Sequence, residues 1–174
     1  MYNEIKIGGE RVPMLAMASV DLYYKQIFHE DAVKLQSGKN FDEGDLINFV
    51  MKMGFVMAKF AELKDRKAMA KLNEDAFLDW LDRFERSDYL AALADIRATY
   101  EGQSVTDADT KKKQRRTERQ LTTALFILRA VQLGLSVADL DGLEYGTVWD
   151  MMTETANDDF KYQELATQAD FDRF

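Results

Sequence analysis

Leu46–Leu63 reads LINFVMKMGFVMAKFAEL and is the most apolar stretch of the chain. Leu46, Phe49, Val50, Met53, Met57 and Phe60 recur at the spacing of a helix with one inward face. Lys52 and Lys59 interrupt the run. A bilayer span needs roughly 20 mostly apolar residues with few charges. The stretch therefore predicts a helix buried in a protein core, with Asp42 as its N-cap. The chain has one proline, Pro13, and beyond it nothing blocks helix. The expected fold is mainly α.

Working outward, NEIKIGGERVPM at 3–14 alternates apolar and polar residues on either side of Gly8-Gly9. That is the pattern of a small β-hairpin packed on the helices, with Pro13 limiting how its second strand pairs. Ser19 is a candidate cap for a helix burying Val20, Tyr23, Tyr24, Ile27 and Phe28. Asn73 caps another, with Phe77, Trp80, Leu81 and Phe84 inward. Ser87 caps a third, with Leu90, Leu93, Ala94 and Tyr100 as its core face. Residues 1–103 thus form a hairpin plus a helical domain of four helices.

EGQSVTDADTKKK has no apolar periodicity and reads as a linker over 104–114. The chain changes character there. Six of the nine residues Lys111–Arg119 are basic, whereas Leu135–Phe174 holds ten acids against one Lys and one Arg. A helical C-terminal extension, 115–174, follows. In its first helix Leu121, Ala124, Leu125, Leu128 and Val131 form the expected inward stripe, and Gly134 is the stop. Ser136 with Asp139 resembles a capping box. Shorter helices follow, broken at Gly142, Gly146 and Asn157.

Little in the sequence points to catalysis. With no cysteine there is no disulfide, thiolate metal site or thiol nucleophile, which fits a reducing compartment. No apolar run follows a basic start, so no secretory leader is expected. The one histidine, His29, reads as a surface residue at a helix end, and no serine has a histidine to lean on. DLDGLE at 139–144 fails the calcium-loop spacing. The pair Asp79/Asp82 reads as a solvated helix face. No phosphate-binding loop is present. An enzyme is not expected, nor any cofactor or metal. The net charge of −8 disfavours nucleic acid, because phosphate repels it. A small DNA-binding regulator using a basic helix from Arg115 is the alternative class; Gln114 and Gln120 are its only candidate base readers. Nine methionines stand out. Methionine fills irregular core gaps and also serves adaptable binding surfaces. Candidate partner-binding residues are therefore Met53, Met57, Trp149 and Met152, with Phe171 and Phe174 at the apolar C-terminal end.

GLSVADLD at 134–141, GTVWDM at 146–151, ND at 157–158 and LATQADFDRF at 165–174 resemble the C-terminal segment of tail assembly proteins of long-tailed bacteriophages and prophages. IKIGGERVPM followed by LYYKQIF resembles the start of the tail assembly chaperones encoded upstream of the tape-measure gene. The resemblance implies a chaperone that coats the hydrophobic tape-measure protein and recruits tail-tube subunits during virion assembly. It would work in the host cytoplasm, without membrane or nucleic acid, and be absent from the mature virion; it leaves self-association open. In that family a ribosomal frameshift commonly appends a second segment, and Lys111-Lys112-Lys113 can be written as the adenine run on which ribosomes slip.

Overall fold

The computed structural model describes residues 2–37, 42–102 and 120–156. The linker expected at 104–114, the start of the basic helix at Arg115, and Phe171 and Phe174 lie outside the described residues. The fold is mainly helical, with an N-terminal antiparallel hairpin packed against the helices.

Strands β1 (Tyr2–Ile7) and β2 (Glu10–Leu15) pair with Ile5 opposite Val12 and Glu4 opposite Pro13. Gly8, at φ 59°, makes the turn that a side chain would strain. Ile5, Ile7, Val12 and Met14 are buried on the inner face, as the alternation predicts. That face lies on α3 (Glu43–Leu63) and α6 (Arg86–Glu101).

Helix α3 is the central element, with twelve of its residues buried, from Phe49 to Ala61. Asp42 Oδ1 accepts from Asp45 N at 2.7 Å, so the expected cap is in place. Lys52 is buried among apolar neighbours because its Nζ reaches Glu30 Oε1 at 2.8 Å and lies 4.9 Å over the Phe28 ring. Helix α1 (Val20–Phe28) packs its aromatic stripe on α3, with Tyr23 against Phe60 and Tyr24 against Phe49. His29 ends α1 in the left-handed conformation and is exposed.

Two short helices were not anticipated, α2 (Ala32–Ser37) and α4 (Arg66–Met69). Helix α5 (Glu74–Leu81) has the expected Asn73 cap and buries Phe77 and Trp80. Helix α6 differs from expectation. It begins at Arg86 after Glu85, so Ser87 is not its cap. Its buried residues are Ala92, Ile96, Thr99 and Tyr100, while Ala94 is exposed and Leu90 and Leu93 are half-buried. Gly54 sets this choice, since a Cβ there would stand 3.1 Å from Ile96 Cγ2. Its absence lets Ile96 press into α3.

Beyond the basic run, α7 (Thr123–Gln132), a 3-10 turn (Asp139–Asp141) and α8 (Tyr145–Ala156) complete the described chain. Ser136 and Asp139 cap each other reciprocally, as expected. The stripe expected on α7 faces the other way. Thr123, Phe126 and Ala130 are buried, whereas Leu128 and Val131 are 47% and 48% exposed. Phe126 decides the orientation by packing its ring, tilted, against Tyr145 and Trp149 at 5.5 and 5.2 Å between centroids. Leu140, Tyr145 and Val148 belong to the same core as the hairpin and α3. Residues 120–156 are thus built into the first hundred residues. Ala18 N donates to Leu143 O, Ser19 N to Leu140 O, and Thr123 N to Asp31 Oδ1.

Candidate docking groove

Helices α3 and α6 run antiparallel: Phe49 meets Tyr100 at 6.0 Å between ring centroids, and Gly54 meets Ile96. From the Gly54–Ile96 contact the pair runs toward the start of α3 and the end of α6. An open groove of about 370 Å³ lies there. Phe49, Val50, Met53 and Ile96 form its apolar floor, with Leu46 and Tyr100 as walls. Arg97 and Glu101 stand on the rim, joined by a 2.6 Å ion pair across one helical turn. The volume falls within the usual range of ligand pockets, about 300–1,000 Å³. Arg97 and Glu101 are the charged groups of the lining; the other six residues offer apolar or aromatic contact.

Behind Tyr100 lies a buried polar cluster. The Tyr100 hydroxyl donates to Asp21 Oδ1 at 2.7 Å, and the Tyr145 phenol lies against the same carboxyl. Tyr100 and Tyr145 stack at 5.0 Å. Burial pushes the Asp21 carboxyl up to about 7; hydrogen bonds from Tyr100 and Tyr145 oppose the rise, and the Asp31 charge adds to it. Asp21 Oδ2 and the Ser19 hydroxyl have no hydrogen-bond partner among the described residues. Asp21 therefore ties the groove wall to the start of α8. Asp31 behaves oppositely. Its own burial raises it, but backbone N–H groups of Thr123 and Lys34, with Lys25, hold it below the usual carboxylate range.

The candidate binding residues separate in the fold. Met57 is fully buried and Met53 is 1% exposed. Both therefore fill the core, and Met53 also lines the α3/α6 groove. Trp149 and Met152 are half-buried on α8, away from Met53 in sequence, and Trp149 packs on Phe126. The Asp79/Asp82 carboxylates are exposed. Asp141, from the rejected calcium-like stretch, accepts from Arg66 Nε at 2.9 Å and from the Tyr23 hydroxyl at 3.2 Å. Its role is to fasten the 3-10 turn to α1 and α4. Sequence reasoning missed Asp21. The available signal was an acid three residues before Tyr24 and seven before Phe28, on the core stripe of α1. Among the described residues no helix is long and apolar enough to cross a membrane.

Comparison of the chain with protein families, with curated proteins and with solved structures returns no match.

Proposed function

We propose that the protein is a tail assembly chaperone of the long-tailed phage type, a non-catalytic holder of a helical partner. The α3/α6 groove is the observation that carries the reading. A groove between two helices, with Phe49, Val50, Met53 and Ile96 beneath a charged rim of Arg97 and Glu101, suits the face of an amphipathic third helix. A tape-measure protein is a long helical chain that needs such cover, because exposed apolar helices aggregate. The C-terminal segment, which bears the resemblance and ends on Phe171 and Phe174, is assigned to the tail-tube subunit.

Co-expression with the tape-measure and tail-tube genes neighbouring the coding sequence tests this. The tape-measure protein should stay in the soluble fraction and co-purify with the chain. Val50→Glu, which places a charge on the groove floor, should abolish that co-purification. A tape-measure protein that is insoluble with and without the chain would overturn the reading.

A further inference from the structure

Residues 120–156 meet the rest of the chain along a seam of polar contacts that encloses a buried acid. Ala18 N donates to Leu143 O at 2.8 Å and Ser19 N to Leu140 O at 3.1 Å. Arg66 donates to Asp141 Oδ2 and to Val137 O. Thr123 donates to Asp31 Oδ1 through both its N–H and its hydroxyl. Asp21 lies in this seam, fully buried, against Tyr100 of α6 and Tyr145 of α8. We propose that residues 120–156 form a flap that parts from the hairpin-and-helix body, and that ionisation of Asp21 releases it.

The flap holds together on its own side of the seam. Phe126 of α7 packs on Tyr145 and Trp149 of α8, so the two helices move as one. Among the described residues no helix runs across the seam. Leu140, Tyr145 and Val148 lie in the shared core and hold the flap shut, so the open form is the minor one.

The buried acid is uncompensated. Among the described residues no cation faces Asp21. Tyr24 approaches it from its own helix, Asp31 from the start of α2, Tyr100 from α6 and Tyr145 from α8. Asp21 Oδ2 and the Ser19 hydroxyl, two residues before it, have no hydrogen-bond partner among the described residues. A carboxylate in this site is desolvated and faces a second negative charge, which favours the neutral form. Parting α8 from α6 admits water and removes that cost.

The sign of the effect follows. Burial holds the Asp21 carboxyl up at about 7 in the closed form, against an ordinary value of 3.8. The preference for the closed form is complete below the ordinary value and is lost as pH rises to about 7. Asp31 acts in the opposite direction. Its own burial raises it, but the N–H groups of Thr123 and Lys34 hold it below the ordinary value, so its bond to the flap weakens only at acid pH.

Hydrogen exchange of the full chain at pH 5, 6, 7 and 8, corrected for intrinsic rates, reads the opening amide by amide. Amides of α7 and α8 should exchange through an opening that leaves α3 closed, and so be less protected than those of α3 at every pH. Their opening constant should rise about tenfold per pH unit from pH 5 and level off above about pH 7. Asp21→Asn should remove that rise. Equal protection of α3, α7 and α8 would overturn the proposal, because the flap would then open only with the whole chain. No rise in the native chain, or a rise that persists in Asp21→Asn, would overturn it too. If Asp21→Asn does not fold, Tyr145→Phe takes its place. It keeps the ring and removes a hydroxyl that favours the ionised carboxyl, so it should raise the opening constant more at pH 8 than at pH 5. An equal change at both would count against Asp21 as the trigger.

Discussion

The Tyr100 hydroxyl donates to Asp21 Oδ1 at 2.7 Å while the Tyr100 ring forms a wall of the α3/α6 groove. Tyr100, itself buried, thus belongs to both the groove lining and a buried carboxyl cluster. Asp21 also meets Tyr145, so the groove wall, α1 and α8 share a polar contact in an apolar core. Buried polar clusters of this kind impose one arrangement on the elements they join.

The first prediction concerns pH. Asp21 is fully buried, and its carboxyl is raised to about 7 from an unfolded value of 3.8. Its contribution to stability is complete below the unfolded value and is lost as pH rises from about 4 to about 7. The loss should reach on the order of 3–4 kcal/mol. Asp21→Asn should flatten this component. Urea unfolding of both proteins at pH 4.5, 6 and 7.5 checks it: the stability difference should shift in favour of the variant as pH rises. A constant difference would mean that Asp21 is ionised in the fold. The Asp31 component has the opposite sign and a separate window, being lost as pH falls below about 4.

Lys52 and Glu30 give an asymmetric prediction. The Lys52 side chain is 7% exposed and that of Glu30 41%. Glu30→Ala strands a buried ammonium and removes the acceptor of the 2.8 Å bond from the Tyr24 hydroxyl. It should cost about 2 kcal/mol, while Lys52→Met should be near neutral. Thermal melts of the two variants decide; equal losses would refute the asymmetry.

The α7 face is tested by contrast. Phe126→Ala should cost about 3–5 kcal/mol, since the ring is 1% exposed and packs on Tyr145 and Trp149. Leu128→Gln and Val131→Gln should each change stability by less than about 0.5 kcal/mol. Chemical denaturation that ranks Leu128→Gln with Phe126→Ala would restore the stripe read from the sequence.

Phe49 and Gly54 probe the groove floor and the point where it closes. Phe49→Ala should cost about 3 kcal/mol, toward the low end for a phenylalanine because one side of the ring faces the groove. Gly54→Val should cost about 1–3 kcal/mol by driving Ile96 out of its place against α3. Denaturation midpoints measure both, and a stable Gly54→Val would show that α6 does not depend on that contact.

The parts of the fold legible in the sequence are those fixed within a few residues. The Gly8-Gly9 turn, the α3 helix and the Asp42, Asn73 and Ser136/Asp139 caps depend on local dihedrals and hydrogen bonds four residues apart or less. Tertiary packing decided what periodicity leaves degenerate. In TALFILRAVQ apolar residues surround much of the helix, so spacing alone could favour Leu128 and Val131. The aromatic pocket of Tyr145 and Trp149 selected Phe126, because a ring buries more area than either aliphatic. Packing also sank Met57 into the core, left Met53 on the groove floor, and drew Asp21 into an apolar stripe. Sequence position specifies the helices; which of their faces meet depends on shape complementarity between elements far apart in the chain, and no local pattern encodes that.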